Sequence, residues 1–552
     1  MRHPSRLLRA GLFAALLALI AFPAHGAGQR ATAAPGFLSH LSQSVQLRYY
    51  LAHPEFAPPQ FAEQIQAVEQ LGAGALDRAE ASRGAPYGDL FNRDDVGFPQ
   101  NEEAVTVCEN QPRYVLSGSN DYRGLLDRQV NFSGWYFSDD GGRSVLKEGL
   151  LPALPNQGRL SPSGGDPAIQ SDDRCRLYYA NLNFTDPSEG PNGIGVYMTK
   201  PSILERCPQG QDPDQLTRRH CWPNGRIVAS AATVGGRGRF LDKEWLDVGR
   251  SGAAGNVVWI AYSDFTLDPD APLGFTGAQI KAVRCDAHLD ECTRPILISG
   301  ADKDIQFADI TISETGRTMI TWAQITGELE ETAQTFTVKM RIAEPGSTEF
   351  GPSQVVNEEF NPLPFGGFLH ANDFRTATYP KSIMPVVHGH ERQFVVWDRC
   401  RFRLLDTVCE EPQIVMSYSD NDGRSWSRAR VLSKGGDNYF PAISDEVGSP
   451  NFAVAYYTNR YDRVFHNRQD VEVLTIDKAT GEVVNRQRVT RTSNETEADP
   501  ILGGFFIGDY IDVHLLGGTA YVAYNANTRH VRVLGQGRPI PQQDNFLTRI
   551  QS

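Results

Sequence analysis

After the first 26 residues no apolar run is long enough to cross a bilayer, so no later membrane span is expected. The sequence also lacks a phosphate loop and a dinucleotide fingerprint; isolated pairs such as Gly235-Gly236 read as turns. There is no C-x-x-C and no H-x-x-x-H, which leaves zinc without a ligand spacing to use. His388 and His390 stand in a hairpin turn, "HGHER", and no Ser-His-Asp triad can be built from local motifs. Tracts of a single repeated residue are absent, which argues against wholesale disorder. Net positive charge is absent too. The formal balance is −13, which opposes non-specific binding to a phosphate backbone. Neither a metal nor another cofactor is called for.

What is present begins with an export signal. Arg2, Arg6 and Arg9 precede an apolar run of 13 residues, Ala10 to Phe22, and then Pro23-Ala24-His25-Gly26-Ala27. That order predicts a signal peptide over residues 1–26; an uncleaved membrane anchor is the competing reading. Excision of the three arginines takes the net charge to about −16. Eight cysteines follow, and an even count behind an export signal predicts disulfides. Cys207 with Cys221, Cys285 with Cys292, and Cys400 with Cys409 each enclose a short loop, leaving Cys108 and Cys175. The expected location is secreted or periplasmic, and the chain is expected to be monomeric.

The 552 residues would permit several domains or one large closed β architecture. Residues 27–100 read as a prefix, with helical spacing of Phe61, Ile65, Val68 and Leu71 in a stretch from 60 to 82. From residue 101 onward short runs rich in Val, Ile, Tyr and Trp alternate with Gly, Asp, Asn and Pro clusters. One run recurs seven times, starting at residues 113, 176, 257, 318, 394, 452 and 520, for example "VVWIAYSDF" and "FAVAYYTNR". Most copies have a short strand before them and a strand pair after them. Four-stranded units of about 60 to 80 residues, repeated this often, predict an all-β propeller over residues 101–552. Seven blades are expected, with six plus a closing piece as the alternative because "HVRVLGQGRPIPQQDNFLTRI" is a poor final hairpin. Two tandem β-sandwiches fit less well, because the repeat runs evenly with no linker midway.

Two turns, "SDDGGRSV" (138–145) and "SDNDGRSW" (419–426), fall between third and fourth strands. They resemble the Asp-box, Ser-x-Asp-x-Gly-x-x-Trp, of the bacterial sialidase and BNR-repeat family, with Val145 in place of Trp in the first and Asn421 at the Asp position of the second. "GSNDYR", "GDPAI", "DKEWLDV" and "GDYIDV" are similar to stretches of secreted sialidase-like BNR-repeat proteins. The resemblance covers roughly residues 100 to 530. It implies a propeller and an exo-α-sialidase-like glycoside hydrolase, with an arginine clamp on a carboxylate, a Tyr nucleophile and an Asp acid/base. The Phe/Tyr-Arg-Ile-Pro segment that carries one clamp arginine in that family has no counterpart; "DFRTATYP" (373–380) is the nearest stretch.

In a propeller the starts of first strands and the ends of second strands meet at one rim. Reading that rim gives Asn120, Asp121, Arg123, Asp166, Asp242, Lys243, Asp264, Arg375, Asp398, Arg399, Asn459, Arg460, Asp462, Asp509 and Arg529. Arginine binds carboxylates bidentately, so Arg123, Arg375, Arg399 and Arg460 are the ligand-binding candidates. Asp242, Asp264 and Asp398 are candidate acids, and Tyr457, with Tyr122 and Tyr510, candidate nucleophiles. Each of these residues has a plain structural alternative, a salt bridge or a turn cap between blades. "NRYDRVFHNRQD" (459–470) is a charged loop at the same rim. The expected ligand is a glycan or another polar, anionic molecule. Two alternatives to hydrolysis stand beside it: a non-catalytic propeller that binds a glycan or a protein partner, and a lyase on acidic polysaccharide.

Overall fold

The seven recurrent runs each form the second strand of an antiparallel unit, as in Val115–Asp121, Leu177–Phe184, Asn256–Leu267 and Thr519–Val531. The computed structural model describes residues 36–552 apart from 42, 59–61, 63–64, 66–88, 94–96, 128, 209–214, 303–304, 327–333, 364–367, 405–407, 503, 505 and 534–536. The expected signal peptide and most of the helical stretch from 60 to 82 lie outside the described residues. All of the described residues fall within one compact unit. The chain is all-β apart from short helices, among them α1, Gln43–Ala52.

Seven first strands precede the runs: β1 (Gln100–Val107), β2 (Ala168–Ser171), β3 (Arg237–Arg250), β4 (Ile305–Ile312), β5 (Lys381–Ile383), β6 (Asn438–Asp445) and β7 (Asp512–Leu516). Each pairs antiparallel with its second strand, and third and fourth strands follow outward in the first six units. The units beginning at β2 and β3 share one eight-stranded sheet, because Asn224–Val234 pairs with the start of β3. The second strands are buried along their length, which is why they read as continuous apolar runs rather than alternating ones. Trp259, Trp322 and Trp397 come from three of them and lie fully buried between successive units.

The first strands pack on one another in chain order, β1 on β2 through to β7, and β7 packs back on β1. A carboxylate latch recurs between neighbours. Asp247 accepts from the Ile312 amide at 2.6 Å, Asp309 from the Ser382 amide at 2.8 Å, and Asp512 from the Val105 amide at 3.0 Å. The third of these joins the last unit to the first.

The last unit has three strands of its own. Its outer edge, Ile540–Gln551, is completed from the other end of the chain. The Phe91 amide donates to the Asn545 carbonyl at 2.8 Å, and the Leu547 amide to the Asp89 carbonyl at 2.9 Å. That pairing covers an edge that would otherwise be open.

All four cysteine pairs are disulfides: Cys108–Cys175, Cys207–Cys221, Cys285–Cys292 and Cys400–Cys409. The first ties the β1 unit to the β2 unit, and the others close local loops. The two Ser-Asp/Asn turns share one hydrogen-bond scheme. Ser138 and Ser419 accept from the amides of Gly142 and Gly423, which sit at φ 76° and 78°. Asp140 and Asn421 accept from the amides of Ser144 and Ser425. Trp426 donates to the Gly423 carbonyl at 3.1 Å, a bond for which Val145 has no counterpart. Their role is to fold a turn.

Candidate functional site

A bulge repeated near the start of the first strands builds the site. Register slips occur between Asn101 and Ala104, Asp242 and Trp245, Gln306 and Asp309, and Tyr439 and Ala442. The first extra residue is left-handed each time: Glu102, Lys243, Phe307 and Phe440 at φ 59°, 57°, 62° and 53°. Asp166 and Gly508 take the same conformation just before β2 and β7. A bulge re-aims a side chain that the pleat would otherwise alternate. In β1 and β3 it turns Glu102 and Lys243 toward Asp509.

Asp509 is the ionic centre of that set. Lys243 Nζ lies 2.6 Å from its Oδ2, and Arg375 Nε donates to its Oδ1 at 3.1 Å. A terminal nitrogen of Arg375 also pairs with Oδ2, and the other donates to the Leu41 carbonyl at 2.6 Å. Asn120 joins Glu102 to Asp166: its amide donates to Glu102 Oε2 at 2.7 Å, and its carbonyl oxygen accepts from the Asp166 amide at 2.7 Å. The Asp509 amide donates to Glu102 Oε1 at 3.2 Å. Asp242 and Glu244, beside Lys243 on β3, are buried and meet no donor from outside their own strand. Tyr122, Tyr379 and Tyr510 adjoin the cluster, and burial raises each phenol well above its ordinary value.

Five carboxyl groups here face two cations, and burial sorts them. Burial alone would raise Asp509, but Arg375 and Lys243 hold it at about 2. Asp242 goes the other way. Burial lifts it to about 8, with Asp166 adding to the rise and Lys243 opposing it. Glu102 is pushed well up by burial and then by Asp166 and Asp509, and Glu244 by burial and then by Asp166. Among the described residues no three His, Cys, Asp or Glu side chains are placed to hold a metal ion.

A polypeptide segment covers this cluster. Gly36–His40 and α1 bring Phe37, Leu38, Leu41, Ser44, Leu47 and Arg48 into buried positions. Besides the Leu41 carbonyl on Arg375, the Ser44 hydroxyl lies 2.8 Å from where a Cβ on Gly165 would stand, so residue 165 has room for no side chain. Arg48 donates to the carbonyls of Phe184, Val130 and Ser163, and its guanidinium lies 4.7 Å and 5.2 Å from the Phe184 and Phe132 ring centres. His40 packs edge-on against Phe275 at 5.1 Å; burial, with Arg375 adding to it, drops this imidazole to about 4.

Of the candidates read from the sequence, Asp166, Asp242, Lys243, Arg375, Asp509 and Asn120 meet in this cluster. Tyr122 and Tyr510 adjoin it, and the others are engaged elsewhere. Asp264 pairs with Arg239 and, at 2.7 Å, with Lys281. Asp398 accepts from the Phe440 amide at 2.9 Å and is lifted to about 7 by burial. The Tyr457 hydroxyl accepts from the Asn525 amide at 3.1 Å, and burial, then Glu103, raises it well above its ordinary value. Arg123 pairs with Asp121 and Glu148, Arg460 with Glu472, and Arg399 donates to Gln413. Arg529 lies 3.5 Å from Asp544. Asp462 ties down its own loop by accepting from the Arg468, Phe465, Val464 and Asn467 amides, and Asn459 bonds to Asp437.

Glu102 and Glu244 were missed, as was the covering segment. The triplets Asn101-Glu102-Glu103, Gly165-Asp166-Pro167, Asp242-Lys243-Glu244 and Gly508-Asp509-Tyr510 each carry an acidic residue, the first and third at bulges within β1 and β3 and the others just before β2 and β7. Aligning the first strands, rather than the second, would have found both glutamates.

Two cavities lie beside the Asp89–Phe91 segment. One of about 500 Å³ is lined by Arg143, Arg491, Arg549 and Asp89 over Leu547. A smaller one of about 180 Å³ adjoins Thr490, Tyr524 and Phe546.

No family model and no curated protein sequence matches this chain. Solved structures that resemble it include a protein of unknown function from Dyadobacter fermentans, at 8% identity over 72% of this chain and 96% of that one, TM-score 0.41. The endosialidase of phage phi92 matches at 9% identity over 84% of this chain and 69% of its own, TM-score 0.42. The alpha-L-arabinanase of Penicillium chrysogenum matches at 10% identity over 82% and 93%, TM-score 0.38. At this level of likeness the comparison assigns neither an activity nor a substrate to this chain.

Proposed function

We propose that the protein is an exported seven-bladed β-propeller that hydrolyses a glycosidic bond of an extracellular glycan at the cluster around Asp242 and Asp509. The observation that carries this reading is the opposed ionisation of two carboxyl groups in one buried cluster, Asp242 held at about 8 and Asp509 at about 2. Hydrolysis needs such a division: a protonated acid for the leaving oxygen and an ionised group to stabilise or assist attack by water. Asp242 would give its proton to the glycosidic oxygen. Asp509, oriented by Arg375 and Lys243, would stabilise the positive charge that develops on the sugar, while Asp166, the remaining carboxyl group of the cluster, would take the proton from water.

A carboxylate mechanism is preferred to a sialidase-type one. Only Arg375 of the four candidate arginines belongs to the cluster, and the candidate tyrosines hold their protons tightly. The blade count rests on the seven first strands and the return of β7 to β1. Four disulfides fit an oxidising compartment.

A second reading, a propeller that binds a glycan without cleaving it, is favoured by one observation: every ionisable group of the cluster is buried. A panel of 4-methylumbelliferyl glycosides, α-sialoside and α-L-arabinofuranoside included, separates the two. Turnover of any member supports the hydrolase, and turnover of the α-sialoside alone would restore the sialidase reading. Binding on a glycan array without turnover of any member supports the second reading.

A further inference from the structure

We infer that Gly36–Ala52 is an internal occupant of the glycan site, seated where an oxygen-rich saccharide would bind and released when the site is used. The inference rests on the proposed location of the glycan site at the Asp242–Asp509 cluster.

The helix is out of character for its position. Its sequence, QSVQLRYYLA, has no apolar stripe, yet Ser44, Val45, Leu47, Arg48, Tyr49 and Tyr50 are all buried. A half-polar helix buried on several sides needs a polar socket, because each buried polar group must find a partner. The socket supplies partners of the kind a saccharide uses. Arg375 offers a donor to a lone oxygen, now the Leu41 carbonyl. The backbone at Gly165, bare of a side chain, admits a hydroxyl, now that of Ser44. The carbonyls of Val130, Ser163 and Phe184 are acceptors at the mouth, and Phe132 and Phe184 are flat apolar faces.

Arg48 makes three of the hydrogen bonds that fasten the segment, beside seven buried apolar side chains, Phe37, Leu38, Leu41, Val45, Leu47, Tyr49 and Tyr50. Arg48 is buried with three carbonyl oxygens as partners. Burial accordingly pulls it down to about 9, with the charge of Asp127 opposing the fall. Segment and saccharide thus compete for Arg375 and the Gly165 surface, and the ligand class follows: a saccharide presenting a hydroxyl, carbonyl or carboxylate oxygen to Arg375.

The test compares full-length protein with Arg48→Ala and, in case loss of the arginine unfolds the chain, Ser44→Phe, which forces bulk against Gly165. Release is read as faster proteolytic cutting within residues 36–57 with the main melting transition retained. Binding is read on a glycan array, and turnover with the glycoside panel. The expected result is at least a tenfold gain in glycan binding by the released variants, abolished by adding Arg375→Ala. Equal binding by wild type and released variants overturns the inference and leaves the hydrolase standing. Release without any gain in binding overturns it as well. A gain in binding without turnover sustains the inference and removes the hydrolase.

Discussion

The centre of the molecule and the cleft beside Asp89 use the same residue types to different effect. At the centre Arg375 and Lys243 grip Asp509 with all three side chains buried. At the edge Arg143, Arg491 and Arg549 stand exposed around a cavity of about 500 Å³, with Asp89 3.0 Å from Arg491. The edge has the open space and the greater number of arginines. It lacks the burial that drives neighbouring carboxyls to opposite ionisation states, since water screens exposed charges.

The sharpest way to break that comparison is to remove one carboxylate from each region. Asp509→Ala leaves Lys243 and Arg375 buried without their shared carboxylate and should cost about 3–5 kcal/mol in urea unfolding. Asp89→Ala removes a pair in which Arg491 is largely exposed and should cost under about 1 kcal/mol. Equal losses would mean that burial does not separate the two regions.

Stability against pH sharpens the contrast further. Burial raises Asp247, Asp398 and Asp512 to about 7, against about 3.9 in an unfolded chain. The folded state therefore holds protons that the unfolded state has lost. Their contribution is fully present below about pH 4 and disappears as pH rises through about 7. Asp509, at about 2, acts in the opposite sense and only below about pH 4. The urea midpoint should thus be higher at pH 5 than at pH 8.5, and Asp398→Asn should flatten part of that slope. A midpoint that rises from pH 5 to pH 8.5 would contradict the burial account.

The smallest effect belongs to the edge arginines. Arg143→Ala with Arg549→Ala should shift the melting temperature by no more than about 2 °C, as exposed substitutions usually do. A larger shift would show that the cleft is part of the framework.

Sequence and structure agree where the signal is local. The second strands were legible because strands buried on both faces must be continuously apolar, as "VVWIAY" is. The two Ser-Asp/Asn turns were legible because their partners lie within a few residues. The disulfides were legible through pairing by loop length. Three features were not. Asp89–Phe91 completes the last sheet with three residues, too few to carry a period. Helix α1 has no apolar stripe for a periodicity to reveal, and the helical stretch expected at 60–82 lies mostly outside the described residues. The arginines were interchangeable in sequence because their partners come from elsewhere: Asp509 for Arg375, Glu472 for Arg460, Glu148 for Arg123.

The central claim is that acid catalysis belongs to Asp242 and not to Asp264 or Asp398. The most direct measurement is kcat/KM on the best glycoside of the panel for Asp242→Asn, Asp264→Asn and Asp398→Asn, each in the Arg48→Ala background. The account predicts a loss of at least a hundredfold for Asp242→Asn and less than about fivefold for the other two. Full activity in Asp242→Asn, with loss in either of the others, would contradict it.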